Sequence, residues 1–397
     1  MSVFDALVGQ DAVVVQLRSA AQAASASLQR GNPAPAAQTV GMTHAWLFTG
    51  PPGSGRSVAA RAFAAALQCP DGGCGHCSTC AQALGGTHPD VAVVVPEGLH
   101  LLIEQAREVI ARSSRAPTRG RWQVTLIEDA DRMEERTSNT LLKAVEEPPP
   151  HSVLLLCAPS AQDLLPTIRS RCRLVALRTP PAGAVAQVLV ERDGVDPAMA
   201  AFAARAAQGH IGRARRLATD ELARAERRDV LALPRSLGSV GSALMAAKDL
   251  VDAAKEESDK LAGTRDVAEK QALSTALGGG ATGKGYTAGA PKGGAGALKD
   301  LERRQKSRGT RTQRDALDRA LVDLAAFYRD VLSLQLGTGA VPVHADLSEQ
   351  AATIARGSTP EATLRRIDSV LACRVAIDGN VAPLLAVEAM ALALRVA

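Results

Sequence analysis

Residues Ala45–Thr49 (AWLFT) lead into a glycine-rich loop, Gly50–Ser57 (GPPGSGRS), which opens a helical stretch, SVAARAFAAAL. A short apolar strand, a glycine loop and a helix in that order form a βα turn of the kind that builds a parallel sheet. The loop also fits the phosphate-binding pattern G-x-x-x-x-G-K-[ST], except that Arg56 stands in the lysine position. Glycines let backbone N–H groups converge on phosphate oxygens, and the helix N-terminus adds its positive dipole end. This assigns Gly50, Gly53, Ser54, Gly55, Arg56 and Ser57 to a nucleotide site, with the Ser57 hydroxyl toward Mg²⁺. A ligand-free Gly-Pro turn is the bland alternative, disfavoured because spacing and context both match. Arginine is longer, planar and always charged, so it cannot fill lysine's slot between the β- and γ-phosphates. ATP with Mg²⁺ can still bind such a loop, but hydrolysis suffers.

The expected fold extends this unit. Val91–Val95, Gln123–Glu128 and Ser152–Cys157 read as further strands, nearly continuous in apolar character, as strands covered on both faces are. Helical spacing fills Ser57–Gln68, Leu101–Ser113 and Thr137–Glu147, the last stopped by Pro148–Pro150. Beyond Pro180 the strand signal ends. Ala182–Arg192, Pro197–Gln208 and Ile211–Thr219 read as short helices, and the chain stays helical to its end. In Asp315–Leu336, Leu317, Leu321, Leu324, Tyr328 and Val331 share one face. Thr359-Pro360 caps a helix expected to turn Leu364, Ile367 and Leu371 inward.

Net charge is +5, but it is local. From Lys284 to Arg314 nine basic residues meet two acids, so that segment is +7 and the remainder −2. Overall basicity therefore says little about nucleic acid. The Gly-rich basic segment, about 270–313, is expected to be flexible. The N-terminus lacks a charged start followed by an apolar run, and Glu388 and Arg395 interrupt the longest apolar stretch. A cytoplasmic protein without a membrane span is expected.

Three further clusters carry chemistry. Glu128 and Asp129 end an apolar strand, where a Mg²⁺-holding acid and a water-orienting acid belong, though in reversed order. Cys69, Cys74, Cys77 and Cys80, with gaps of four, two and two residues, read as a closed tetrahedral zinc site. Disulfides and an iron–sulfur cluster are the alternatives, and His76 is a spare ligand. Arginines in TIRSRC (Thr167–Cys172) and GHIGRARRL (Gly209–Leu217) read by default as solvated faces.

Together these residues resemble the clamp-loader subunits of the bacterial replicative polymerase, in the AAA+ class. The resemblance rests on LVGQ (Leu7–Gln10), the phosphate loop, HPD (His88–Asp90), NTLLKAVEEPP (Asn139–Pro149), SRC (Ser170–Cys172) and NVAPLLAVEAMALAL near the end. It implies an α/β AAA+ domain (1–178) with a RecA-like parallel sheet and a zinc-binding insert (69–80), an α-helical lid (179–222) and an α-helical collar (223–397). It also implies that Arg171 is a finger reaching the ATP of a neighbouring subunit. Arg213, with a small departure in spacing, would contact the subunit's own nucleotide.

Within that family the motor subunits carry lysine in the loop, Asp before Glu, and a polar sensor after the fourth strand. Here stand Arg56, Glu128-Asp129 and Ala158-Pro159, while SRC is intact. That pattern resembles the stator of the loader, with little or no ATPase and no polymerase chemistry of its own. The implied partners are the gamma/tau and delta subunits in a hetero-pentamer, with the sliding clamp and primed DNA reached through the assembly. The alternatives are a divergent gamma-type motor and, from another class, a zinc-dependent nucleic-acid-binding module. The latter lacks an aromatic stacking surface, because neither Tyr286 nor the two tryptophans sit among basic residues.

Overall fold

The computed structural model describes residues 2–29, 41–119, 121–276 and 294–396. The chain divides into two compact units, Met1–Thr219 and Asp220–Ala397.

The first unit begins with α1 (Asp11–Gln29) and then alternates strands and helices: β1 (Ala45–Thr49), α2 (Arg56–Gln68), α3 (Ser78–Leu84), β2 (Val91–Val94), α4 (Ile103–Ser113), β3 (Gln123–Ile127), α5 (Glu135–Glu146), β4 (Ser152–Ala158), α6 (Pro166–Arg169) and β5 (Arg173–Ala176). The strands form one sheet in the order β2-β3-β4-β1-β5, and every pair is parallel. Strand pleating explains the layering. Trp46 and Phe48 face a core shared with α1 and α2, whereas Ala45 and Leu47 face a second core shared with α4 and α5. Both faces are thus covered, and β1, β3 and β4 are buried along their whole length. Trp46 packs edge-on against Phe63 of α2, with centroids 4.8 Å apart. The four runs read as strands all form, displaced by at most one residue at an end. β5 was not anticipated. It is a four-residue edge strand with only Val175 buried, too short to show a pattern.

Three helices complete this unit: α7 (Ala182–Asp193), α8 (Pro197–Ala206) and α9 (Ile211–Thr219). They pack on one another, with Val185, Leu189, Ala203 and Ala214 buried.

The second unit is all helical: α10 (Glu221–Ala232), α11 (Val240–Ala276), α12 (Gly294–Leu336), α13 (Ser348–Gly357), α14 (Pro360–Asp378) and α15 (Pro383–Val396). Leu317, Leu321, Leu324, Tyr328 and Val331 point into its core, as their spacing predicts. Two expectations need correction. Residues 270–276 and 294–313 are not a flexible segment: they are the end of α11 and the start of α12. Arg308 of α12 pairs with Asp266 and Glu269 of α11, both at 2.6 Å, a cross-helix contact that glycine-rich composition conceals. Residues 277–293, with Tyr286, lie outside the described residues. On α14, Leu364 and Leu371 face solvent, 47% and 41% exposed, while Val370, Cys373 and Ile377 take the inner face. Of the three residues expected inward, Ile367 does pack against the core; the helix is apolar on two sides, so periodicity alone misplaced the other two. No described helix is long and apolar enough to cross a membrane.

Candidate functional site

The phosphate loop leaves β1, which lies between β4 and the edge strand β5. Gly50 and Gly53 have φ of 149° and 86°, and space as well as conformation demands glycine at both. A Cβ on Gly50 would lie 2.6 Å from Leu177 O, and one on Gly53 would lie 2.6 Å from His210 Cβ. The Gly50 amide donates to Pro159 O at 3.1 Å. Gln10, 4% exposed, donates from Nε2 to Ser54 O (3.3 Å) and Arg178 O (2.6 Å) and accepts from the Arg178 amide (3.2 Å). The LVGQ segment thereby ties the loop to the connection after β5.

The residue in the lysine position folds back on its own loop: Arg56 Nη1 donates to Gly50 O. A guanidinium held there serves the loop's shape rather than a γ-phosphate. At the end of β3, Glu128 is engaged by Arg61 of α2, Nη2 to Oε1 at 2.8 Å. Asp129 has φ 48° and leads into the 3-10 turn Ala130–Arg132. Burial pushes the neighbouring Asp131 carboxyl up. Cys157 on β4 is also pushed up by burial, and Glu128, Arg56, Asp129 and Arg61 all act on it electrostatically. The charged residues after β3 and at the start of α2 therefore gather beside the end of β4. Ala158 and Pro159, which follow, offer no side-chain donor there.

His210, just before α9, was passed over in the sequence. Its backbone and Cβ lie against Gly53, and its Nδ1 accepts the Arg213 amide at 3.2 Å. The start of α9, with half-buried Arg213, is therefore seated on the phosphate loop.

Arg171 stands elsewhere. Its Nη2 pairs with Glu146 of α5 at 2.9 Å, and its Nη1 donates to Thr167 O at 2.9 Å. Both side chains of the ion pair are nearly half exposed. Such a pair is worth about 0–1 kcal/mol, so a stronger anion can displace Glu146 at little expense. Glu146 is the first acid of the EEPP run, and nothing in the sequence tied it to Arg171.

The four cysteines converge. Cys69 ends α2, Cys77 caps α3 and Cys80 lies on α3, and all four sulfurs lie within 4.8 Å of one another. Cys69 Sγ is 3.7 Å from Cys74 Sγ and 3.8 Å from Cys77 Sγ. Four sulfurs about 2.3 Å from a central zinc sit about 3.8 Å apart in a tetrahedron, so the spacing fits a bound metal. All seven cysteines are free in this structure. The amides of His76 and Cys77 pull the Cys74 thiol down to about 6, whereas burial pushes Cys80 up. His76 itself is directed at Cys74 O (3.1 Å) rather than at the sulfurs. The cluster can hold a metal such as zinc.

Residues 34–181 match the family described as DNA polymerase III, delta subunit. The chain is 37% identical to the DNA polymerase III subunit delta' of Pseudomonas aeruginosa over 163 residues, which is 40% of this chain and 50% of that protein. It is 33% identical to the subunit delta' of Bacillus subtilis over 40% of this chain and 49% of that one. It is also 32% identical to the subunit gamma/tau of Mycobacterium bovis, over 39% of this chain and 28% of the relative. The match thus spans about half the length of the delta' relatives.

Proposed function

We propose that this chain, whose residues 34–181 match the family described as DNA polymerase III, delta subunit, works as the delta-prime stator of a clamp loader. In this reading the first unit is an AAA+ module with a lid formed by α7–α9, and the second unit is the collar. The chain assembles with gamma/tau and delta subunits in a hetero-pentamer that loads the sliding clamp on primed DNA.

One observation carries the proposal: three positions that hydrolysis relies on are either otherwise engaged or replaced. Arg56 is bonded to Gly50 O, Glu128 is paired with Arg61, and Ala158-Pro159 replace a polar sensor. Phosphoryl transfer depends on positioned charge around the γ-phosphate, and none of these side chains is available to supply it. Arg171 differs, because it is exposed and weakly held. In the assembly it leaves Glu146 and stabilises the charge that develops on a neighbour's transferring phosphoryl group. Zinc on Cys69, Cys74, Cys77 and Cys80 is structural, since four thiolates leave no open coordination position.

The similarity to gamma/tau subunits supports a second reading, a divergent motor. ATPase of the isolated chain separates the two. The stator reading expects negligible turnover, unrestored by Arg56→Lys because Glu128 and Ala158-Pro159 are unchanged. Turnover at the level of a motor subunit favours the gamma-type reading.

A further inference from the structure

α11 and α12 run antiparallel. Glu257 meets Arg319, Asp266 meets Arg308 and Lys270 meets Glu302, so positions climb on one helix as they fall on the other. This pairing uses up acids. Asp266 and Glu269 face Arg308, with Gln305 beside them, and Ser258 Oγ donates to Gly309 O. The hydrogen bond from Arg308 holds the Glu269 carboxyl down at about 2, against burial, which alone would raise it.

The cations left over lie on the other side. At 100° per residue, Lys299, Arg303 and Lys306 fall within about 60° of one another, centred opposite to the direction of Gln305 and Arg308. All three are exposed. The acid beside them, Asp300, meets Arg303 at 3.3 Å across a pair whose side chains are 77% and 64% exposed. Such a contact holds little against a denser anion. An ordinary solvated helix face mixes signs. Residues 294–314 instead carry seven basic residues and two acids, while the chain outside them is neutral in sum.

We infer that this outward face of α12 is a phosphate-backbone site for nucleic acid, made by Lys299, Arg303 and Lys306. The three side chains span about 10 Å of helix axis at 1.5 Å per residue. A DNA duplex presents one negative charge per about 1.7 Å, so the stripe faces several phosphates together. No aromatic residue stands on the stripe, so recognition is of backbone charge, without base stacking and without sequence preference. A lipid surface needs an apolar face alongside the cations, and the neighbours here are Asp300, Glu302 and Thr310. The site lies outside the phosphate loop and Arg171, so it stands or falls independently of the stator reading.

The test is fluorescence anisotropy of a labelled 20-base-pair duplex and a labelled single strand of about that length with the full chain, between about 50 and 200 mM salt. Lys299→Gln/Arg303→Gln/Lys306→Gln is compared with a charge-matched control, Arg356→Gln/Arg365→Gln/Arg395→Gln. The wild type should bind both strands with steep salt dependence. The stripe variant should bind about tenfold more weakly at the lowest salt, and its log–log salt slope should be shallower by about 2–3, while the control stays near wild type. Circular dichroism confirms folding, which three exposed substitutions should not disturb. No binding by the wild type at about 50 mM salt, equal loss in the control, or a stripe variant that binds like the wild type each overturns the inference.

Discussion

Asp90, in the HPD segment, is fully buried and holds the loop that enters β3. Its Oδ1 accepts the Thr118 amide at 2.6 Å and its Oδ2 accepts the Arg119 amide at 2.8 Å. Its own carbonyl accepts the Val124 amide at 2.8 Å, so this one residue fixes where β3, and hence Glu128, begins. Asp90→Asn keeps the shape but turns an NH₂ toward one of the two amides. One charge-assisted bond, worth about 1.5–3 kcal/mol, is lost, the other becomes neutral, and a donor then faces a donor. The expected loss is about 3 kcal/mol, or about 6–12 °C in the unfolding midpoint of a unit this size. Burial alone would raise the Asp90 pKa, but the amides of Arg119 and Thr118 outweigh it and the net shift is downward. Its stabilisation is therefore complete above the unfolded value of about 3.9 and is lost as pH falls through the lower folded value. Urea and thermal unfolding of both proteins from about pH 7 to 3 measure this. A gap below about 1 kcal/mol at neutral pH, or one that does not narrow in acid, would refute the reasoning.

Other outcomes follow from the remaining sites. The purified chain should contain one zinc, and Cys77→Ala should abolish it and lower the stability of the first unit; full zinc content in the variant rejects the four-sulfur site. His344 is buried, its Nδ1 accepts from Arg227 and its Nε2 donates to Asp323 O at 3.1 Å. Burial and then Arg227 push its pKa down, so the stability it supports is present above about pH 6.5 and lost as pH falls through the folded value. Unfolding of His344→Gln should lack that acid limb, and the same pH profile in both proteins would contradict it. Glu146→Gln should cost at most about 1 kcal/mol, because it removes an exposed ion pair; a larger loss in urea unfolding would mean that Arg171 is fixed, not displaceable.

The sheet was legible where sequence and burial coincide. β1 to β4 are apolar runs covered on both faces, and each announces itself without a partner. β5 did not, because an edge strand with one buried residue carries no pattern. The start of α12 was hidden for another reason: its glycines and cations suggest a solvated segment, and only α11, paired through Arg308 with Asp266 and Glu269, makes it a helix. At the site, spacing located the phosphate loop and the four cysteines, since both are local in sequence. The bonds that define the loop's state are not local. Arg61 to Glu128, Gly50 to Pro159, Gly53 against His210 and Arg171 to Glu146 each join distant segments.

The central claim is that a chain unable to hydrolyse ATP still supplies a group for hydrolysis next door. Arg171→Ala in a reconstituted loader tests it most directly, read as ATPase stimulated by clamp and primed DNA. A finger supplied in trans is worth about 10³–10⁵ in rate at the site it serves. The variant should fold, join the complex normally and abolish turnover at the one neighbouring site that Arg171 reaches. ATPase equal to that of the wild-type loader, with the variant incorporated, would leave Arg171 a surface residue and contradict the stator account.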